Sequence, residues 1–425
     1  MNLGRSSVEF FGAAKSRLYT FLKPRPRLKR VALAAYATLS RNLIRLRPSK
    51  HNDRPLELGM VERWIGSWNS ANPARAASYV QVHPAQRIHN EFPQNIIGYH
   101  DPEHERVIDA ETPAAFVATM PDGHVVGEHG SVITPDGIVL VEVSQHIGIE
   151  GYNSEQSRNP PDPWALYVES HRSPRRLRGS AAVLSAYFGR GYFHWLYDVL
   201  PRFGLLRNAG IDVASVDHFV VPSYFAPFQI ETLRVLGIPS RRLVSSFQHR
   251  HVVADQLLVP SLPRPLGLIP SWLCEFLRDS FPPKTPEVAL SPERLYIVRR
   301  MTDHGLLAND DSLMALLVQQ GFTPVALEQF SLSEKAWLMS RAEVIVSPSG
   351  GGLCNIVFCR PGTTVVELRV QPFPVIEAWA IANMGGLRFY DVLPDGYRRD
   401  EKTVARGYIS PDAVVQTLDM AGCLR

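Results

Sequence analysis

The segment GYFHWLYDVLPR, residues 191–202, places an acid–base pair inside a run of large apolar side chains. His194 and Asp198 are four residues apart, so on a helix they share a face, and Arg202 extends that face if Pro201 only kinks the helix. Apolar neighbours leave a carboxylate poorly solvated, which raises its pKa as a general base requires. The segment therefore predicts a catalytic Asp198 supported by His194. A hydrogen bond that only holds the helix is the alternative.

A second chemical motif is VSPSGGGLCN, residues 346–355, where an apolar strand meets three glycines and a helix begins. Gly350, Gly351 and Gly352 let the backbone approach a ligand closely, and the first amides of a helix attract anions. We expect a phosphate or diphosphate to bind at this turn. Tight packing of the strand against the helix is the alternative.

Ser349 in the same motif also has the small-x-Ser-x-small surroundings of a hydrolase nucleophile. The triad of an α/β-hydrolase needs a histidine later in the chain, and the last histidine of this sequence is His304. The order of residues therefore argues against a serine hydrolase, which stays a weaker alternative.

Charged residues stand where the later strands are expected to end. Arg299 and Arg300 end RLYIVRR and could neutralise a diphosphate without a metal, unless one of them pairs with a surface acid. Glu367 ends TTVVEL, which is expected to be the last strand of the sheet, and could accept hydrogen bonds from both ribose hydroxyls; a solvated charge is the alternative. Asp310 and Asp311 fall in the first turn of a helix, where the dipole favours acids, so no metal site is predicted.

The composition is that of a globular protein with a basic tail. The chain has 425 residues, 45% of them apolar and 20% charged, which is enough for two domains. Residues 1–50 hold twelve Lys or Arg and one acid, whereas the rest has 33 bases and 40 acids, a net charge of −7. This acidic body argues against a nucleic-acid partner. The tail is expected either to lie on an anionic membrane surface or to be a disordered, solubilising arm.

Cysteine usage and hydropathy bound the cellular setting. The four cysteines form no CxxC pair and no zinc spacing, which favours a reduced, cytoplasmic environment. No apolar run in the sequence approaches the ~20 residues that a membrane-spanning helix needs.

The N-terminal part of the chain is predicted to begin with β structure. PDG triplets at 121–123 and 135–137 predict turns of a small antiparallel sheet over residues 116–143. The stretch HRSPRRLRGS, residues 171–180, is basic and is predicted to be mobile. Eight prolines between residues 260 and 292 predict a connection between domains.

From residue 181 onward helices alternate with apolar strands, which predicts a parallel sheet covered on both faces. Asn309 is expected to cap one helix, and Ser331 with Glu334 a second one. Ligands of such sheets bind beyond the carboxyl ends of the strands. The expected strands are 218–223, 251–260, 294–300, 323–328, 343–347 and 363–368.

These motifs in this order resemble glycosyltransferase family 61, which includes capsular-polysaccharide-type bacterial enzymes. HWLYDVLPR matches the family segment H-W-L-x-D-x-L-P-R, and RLYIVRR with NDDSLMALL matches an arginine-bearing strand followed by an N-E/D-D-x-L helix start. SPSGGGLCN matches the turn G-x-H-G-A-G-L-x-N, and PGTTVVEL matches P-G-x-x-V-V-E-L. The likeness covers roughly residues 115–370, with Ser349 in place of the usual histidine and Gly191 in place of a common asparagine.

The resemblance implies an α/β protein of the GT-B type, in which two Rossmann-like domains face each other across a cleft. The small antiparallel region would belong to the N-terminal half. After the basic tail, residues 1–55, it implies an acceptor-side domain at 56–275, a nucleotide-sugar-binding domain at 276–395 and a C-terminal tail or helix at 396–425.

The resemblance also implies a reaction, namely inverting transfer of a sugar from a nucleoside-diphosphate sugar to a hydroxyl of a saccharide or glycolipid acceptor. Surface polysaccharide biosynthesis is the expected setting, and no metal or other cofactor is expected. Asp198 would take the acceptor proton, while His194 would orient it or contact the leaving phosphate. The donor-binding residues would be Arg299, Arg300, Ser349, Gly350, Gly351, Gly352, Asn355 and Glu367.

The serine at position 349 motivates an alternative of another class, since serine cannot carry the positive charge of the family histidine. This alternative is a catalytically silent relative that binds a nucleotide sugar or saccharide within a membrane assembly.

Overall fold

A computed structural model describes residues 59–61, 78–135, 138–140, 143–144, 173–265, 267–288, 293–299, 307–370, 375–399 and 405–425. The basic tail and Arg300 lie outside the described residues, so the expectations placed on them stay predictions.

The described strands are numbered in chain order. They are β1 Gly59–Val61, β2 Ser78–His83, β3 Gln86–His89, β4 Asp109–Thr112, β5 Ala115–Pro121, β6 His124–Val126, β7 Ser131–Ile133, β8 Ile138–Leu140, β9 Arg175–Val183, β10 His218–Val221, β11 Leu243–Ser245, β12 His251–Pro260, β13 Arg294–Ile297, β14 Thr323–Val325, β15 Val344–Pro348, β16 Thr364–Leu368, β17 Arg388–Val392, β18 Gly396–Arg399 and β19 Ala405–Tyr408.

The described α-helices are numbered in the same way. They are α1 Pro102–Glu105, α2 Tyr192–His194, α3 Leu200–Asn208, α4 Pro227–Val235, α5 Ser271–Ser280, α6 Asp310–Gln319, α7 Leu332–Arg341, α8 Ile376–Gly385 and α9 Pro411–Met420. A π-helical turn at Trp195–Val199 joins α2 to α3, and 3₁₀ turns lie at Ser240–Arg242, Leu327–Gln329 and Gly351–Phe358.

The first sheet is mixed. Its order is β1-β8-β7-β6-β12-β9-β10-β11, with β5 also paired to β12 and β2 to β5. Strands β12, β9, β10 and β11 are parallel, whereas β5 and β6 run antiparallel to β12. The antiparallel pairing predicted over residues 116–143 is therefore confirmed, but it belongs to one larger sheet.

The Pro-Asp-Gly triplet at 121–123 does not reverse the chain as the sequence suggests. Both β5 and β6 pair with β12, at Gln256↔Pro121 and Val253↔His124, so they succeed each other along one partner strand. Asp122 has a φ of 48° and interrupts the strand between β5 and β6, but it does not reverse the direction of the chain. A turn triplet therefore produces an irregularity within a strand here, because β12 continues past it.

The basic stretch 171–180 is predicted to be mobile, and this prediction is wrong for its second half, which is a strand paired on both sides. Residues Arg175–Val183 form β9, which pairs with β12 on one side and β10 on the other. Arg176 lies exposed and bonds Asp122 at 2.6 Å and Asp255 at 2.7 Å. Its neighbour Leu177 is buried. Asp122 and Asp255 thus lie on neighbouring segments and pair with an arginine of the basic run. No local sequence pattern indicates this pairing.

The second sheet is the parallel one that the sequence predicts. Its five strands have the order β14-β13-β15-β16-β17, and every pair is parallel. Strand β17 lies beyond β16, so the strand that ends near Glu367 is not the last one of the sheet. Strand β16 therefore has a neighbouring strand on each side, which is why Glu367 is buried.

Two helix starts test the capping predictions. Ser331 accepts from the Glu334 amide at 3.3 Å while the Glu334 carboxylate accepts from the Ser331 amide at 2.8 Å, which confirms the capping box of α7. Asn309 precedes α6 but does not cap it, because its amide is hydrogen-bonded to the backbone of Ile409 instead. A tertiary contact with Ile409 thus replaces the helix cap that the local sequence pattern predicts for Asn309.

The core joins the two sheets. Residues 56–425 form one compact unit, and its largest hydrophobic cluster contains residues of β9, α3 and α5 together with residues of β13, β15 and α8. The proline-rich stretch 260–292 contains α5, whose Leu273 and Leu277 are fully buried in that cluster. The division into domains at residues 275 and 276 stays a prediction. Within the described ranges, no helix is both long enough and apolar enough to span a membrane.

Candidate active site

The opening motif forms a helix with a widened turn. Residues Trp195–Val199 are π-helical, and the amide of Leu200 donates to the Trp195 carbonyl, five residues back. Pro201 follows directly in α3; it has no amide hydrogen, and in a regular α-helix its ring would clash with the carbonyl four residues earlier. The π turn lets the chain continue through the proline, and such turns are frequent at functional sites.

His194 and Asp198 meet on this helix as the sequence spacing predicts. His194 Nδ1 lies 2.7 Å from Asp198 Oδ2. The Asp198 side chain has no exposed surface, whereas the His194 side chain is 24% exposed. An ionised carboxylate only accepts hydrogen bonds, so Nδ1 donates its hydrogen to Asp198, and in a neutral imidazole of this tautomer Nε2 carries the lone pair. The imidazole is therefore the part of this pair that reaches solvent.

Arg264 completes the pair into a buried triad. Its Nε lies 3.0 Å from Asp198 Oδ1, and its Nη2 donates to Asp198 Oδ2 at 3.3 Å. The guanidinium also lies 4.8 Å from the ring centre of Phe193, and only 3% of the arginine side chain is exposed. Sequence reasoning missed this residue. An acid within an apolar helix indicates that a buried cation must pair with it. The spacing of residues in the sequence does not show which arginine supplies that cation.

These contacts reverse the expected pKa of Asp198. Burial raises the pKa, as expected from the apolar surroundings, but the charge of Arg264 and the hydrogen bond from His194 outweigh burial and lower it below its ordinary value. Asp198 thus stays ionised at neutral pH and is a weak base. Its position suits it to orient His194 and to stabilise a positive charge on the imidazole.

The glycine turn at the end of β15 is built around Arg299. Arg299 Nη1 donates to the carbonyl of Ser349 at 2.5 Å. Gly350 has a φ of 147°, and a Cβ on it would lie 2.5 Å from that same nitrogen. At Gly351 a Cβ would meet nothing within 4 Å. The first glycine therefore admits the guanidinium, and the second faces open space.

Two tyrosines join the helix of His194 and Asp198 to the glycine turn. Tyr192 Oη donates to Asn355 Oδ1 at 2.7 Å, and Asn355 Nδ2 donates to the carbonyl of Gly352 at 2.8 Å. Tyr197 Oη donates to the carbonyl of Cys354 at 2.8 Å. The structure thus brings the two sequence motifs into direct contact, and it gives Asn355 a bridging position within the protein.

Ser349 and Glu367 are buried behind the turn. The Ser349 hydroxyl donates to the carbonyl of Leu368 at 3.3 Å. Burial raises the pKa of Glu367 to about 7, although a hydrogen bond to Ser349 and the charge of Arg369 lower it. Within the described residues, Glu367 Oε1 has no hydrogen-bond partner. Both side chains lie inside the sheet edge, and neither reaches solvent.

Arg202 lies on the same helix but faces the first sheet. It is fully buried and donates to the carbonyls of Ser185 at 2.6 Å and Val143 at 3.1 Å. Burial lowers the pKa of Arg202 to about 10. This side chain ties α3 to backbone segments of the first sheet, and it does not extend the stripe of His194 and Asp198 toward solvent.

The segment that carries both motifs also matches a family model. Residues 192–366 match the model described as Glycosyltransferase 61. This match supports the assignment of the chain to glycosyltransferase family 61. It begins at the helix that carries His194 and ends one residue before Glu367, and it supports glycosyltransferase activity. No curated protein matches the chain.

The surroundings of the His194–Asp198 pair are aromatic. Phe188 is 52% exposed, has a φ of 51° and places its ring centre 5.6 Å from that of His194. Tyr187 packs on Phe188, and His129 packs on both. A non-glycine residue held at positive φ beside a dyad is a strained position of the kind found at functional sites.

Metal-ligand sets were sought over the described ranges. There, no group of three or more His, Cys, Asp or Glu side chains is arranged to hold a metal ion. Independence from metals stays a prediction.

Proposed function

We propose that this protein is an inverting glycosyltransferase that moves a sugar from a nucleoside-diphosphate sugar to a hydroxyl of a saccharide or glycolipid acceptor. The observation that carries the proposal is the partly exposed His194 held by the fully buried Asp198 on the helix that contacts the glycine turn. A base and an anion-binding turn side by side are what direct displacement at an anomeric carbon needs.

In this proposal His194 removes the acceptor proton. The Nε2 lone pair takes the hydrogen as the acceptor oxygen attacks the anomeric carbon, and the bond between that carbon and the diphosphate oxygen breaks. The charge that then forms on the imidazole lies beside the ionised Asp198. Arg264 keeps Asp198 ionised, so it acts as a positioning residue. The roles of His194 and Asp198 are thus exchanged relative to the sequence-based hypothesis.

The leaving diphosphate would be stabilised at the carboxyl edge of the second sheet. Arg299 and the amides at the start of Gly351–Phe358 supply fixed positive ends there. Arg300 is proposed to add a second cation on the strength of the sequence motif alone. Ser349 donates to a backbone carbonyl, so it adds no charge. The amides and Arg299 must therefore compensate for the missing family histidine.

Phe188 is proposed to hold the acceptor. An exposed aromatic face is suited to stack on the apolar face of a sugar ring, and its distance from His194 would place an acceptor hydroxyl near the base. The dyad favours catalysis over the silent relative, because binding alone has no need of an oriented imidazole. The serine hydrolase is not favoured, since Ser349 is only 3% exposed and bonds a carbonyl.

The wider frame of the proposal is the GT-B arrangement, with the five parallel strands as the donor half and the parallel strands β9 to β12 as part of the acceptor half. We further propose, from the sequence, that the protein works without a metal at the cytoplasmic side of a membrane in surface polysaccharide synthesis.

The test is a nucleotide-sugar panel with the full chain and its His194→Gln variant, measuring release of nucleoside diphosphate with and without saccharide acceptors. We expect turnover to fall at least ~100-fold in the variant while donor binding persists. The matched control is His89→Gln, which breaks a similar but exposed pair with Asp109 at 2.6 Å and should keep full turnover. Undiminished turnover of His194→Gln would remove the imidazole from the mechanism.

A further inference from the structure

A charged cavity lies at the edge of the parallel sheet opposite to the glycine turn. The first residues of four neighbouring strands, Arg294, Val344, Thr364 and Arg388, form one row across the sheet. This row marks the amino ends of the strands, whereas the glycine turn lies at their carboxyl ends. A cavity of about 550 Å³ opens beside it. That volume is within the range of small-molecule sites.

Five arginines line this cavity together with a single acid, Glu343. We call it the arginine pocket, and its cations are Arg294, Arg341, Arg360, Arg388 and Arg425. Over the part of the chain that the structure describes, no ion pair joins any of these five guanidiniums to a carboxylate. Five like charges around one cavity repel each other, so an anion bound there would relieve an unfavourable arrangement.

Two of the five guanidiniums are held in place by the protein. Arg294 is buried, donates through Nη2 to the carbonyl of Cys423 at 2.6 Å and lies 4.3 Å from the ring centre of Phe322. Arg388 donates to the carbonyl of Ala421 at 3.2 Å. These contacts fix the floor of the pocket at both ends of the row.

The other arginines stand at the rim. Arg341 ends α7 and lies over the ring of Trp337 at 5.2 Å, and Arg360 precedes β16. Both are exposed, as is Arg425. The buried Arg294 and the hydrogen-bonded Arg388 at the base, with the exposed arginines at the rim, can bind an oxyanion from several sides, and the planar guanidinium fork matches phosphate oxygens.

We propose that the arginine pocket is an anion site for a phosphate-bearing compound, separate from the donor site at the glycine turn. The recognised chemistry is a phosphate or diphosphate group, whether on a soluble metabolite or on a phospholipid headgroup. The site does not depend on the transfer reaction, because it uses none of the residues assigned to donor, acceptor or base.

The test is calorimetric titration of the full chain with inorganic pyrophosphate. We compare the native protein with Arg341→Gln/Arg360→Gln, with Arg299→Gln and with Arg207→Gln, which changes an exposed arginine of α3. We expect the double variant to weaken binding at least ~10-fold, because hydrogen bonds from charged donors to the anion are lost. A binding event that weakens in the double variant and is unchanged in Arg299→Gln and Arg207→Gln belongs to the pocket.

Vesicle sedimentation with and without a phosphoinositide distinguishes the two sources of the phosphate group. Loss of phosphoinositide-dependent sedimentation in the double variant would identify a headgroup, and binding of soluble pyrophosphate alone would identify a free ligand. Because Arg341 and Arg360 are exposed, the variant should keep the native circular dichroism spectrum. If the folded double variant binds pyrophosphate and vesicles as tightly as the native protein, the pocket is not an anion site.

Discussion

Replacing Arg264 by methionine removes the cation that neutralises a buried carboxylate. Asp198 has no exposed surface, and its ion pair with Arg264 spans 3.0 Å. Methionine keeps the apolar stem near Phe193 but leaves the charge of Asp198 unpaired. Breaking a buried pair in this way costs about 3–5 kcal/mol. For residues 56–425, an unfolding entropy of about 2.1 cal/mol/K per residue converts ~4 kcal/mol into a Tm decrease of about 5 °C.

The pH dependence of this loss gives a sharper test. In the native protein the pKa of Asp198 is lowered, so its contribution to stability is complete above the ordinary pKa and is lost as pH falls through the folded value. In Arg264→Met, burial is the largest single effect left, and we expect it to raise the pKa of Asp198 above the unfolded value against the remaining hydrogen bond from His194. The free energy of unfolding of the variant should therefore decrease as pH rises above about 4, where the contribution of Asp198 to the stability of the native protein is already complete and no longer changes with pH.

The assay is urea unfolding followed by circular dichroism between pH 4 and pH 8. Arg264→Lys, which keeps a cation, should lose less stability than Arg264→Met. The double variant Arg264→Met/Asp198→Asn carries no unpaired charge and should recover most of the loss, to within about 1–2 kcal/mol of the native protein. A single variant as stable as the native protein at pH 7, with the same slope against pH, would refute the assignment of Arg264 as the partner of Asp198.

Three further predictions concern the reaction and the tail. Asp198→Asn should bind nucleotide sugar normally and lose at least ~100-fold in turnover, because His194 loses its orienting charge; a single-turnover assay checks this, and normal turnover would remove Asp198 from the mechanism. Gly350→Ala should weaken donor binding and lower the free energy of unfolding by about 1–3 kcal/mol. The added Cβ would displace the Arg299 guanidinium, and a side chain is strained at the φ of 147° that Gly350 adopts. Gly351→Ala, whose Cβ meets open space, is its control in the same titration and melting experiments. Deleting residues 1–50 should release the protein from anionic vesicles and leave donor binding intact; equal sedimentation of both forms would contradict the membrane role of the tail.

Features with a local physical cause were predictable from the chain alone. The spacing of His194 and Asp198 places them on one helical face, and the apolar runs of β13, β15 and β16 predict the parallel sheet. The capping box of Ser331 and Glu334 depends on residues three positions apart. Each of these follows from backbone geometry over a few residues, which is why the residue order determines them.

The identity of the base and the electrostatics of the site depended on distant contacts. Arg264 lies 66 residues from Asp198 in the chain, and its charge reverses the effect of burial on the carboxylate. Gly350 was predictable as a glycine, but only the packed structure shows that Arg299 occupies the space a side chain would take. A buried charge must find a counter-charge because desolvation is costly, yet residue order does not specify where that partner comes from. The chain therefore determines which groups are present, and the packing of the two sheets decides which of them are charged, exposed and able to react.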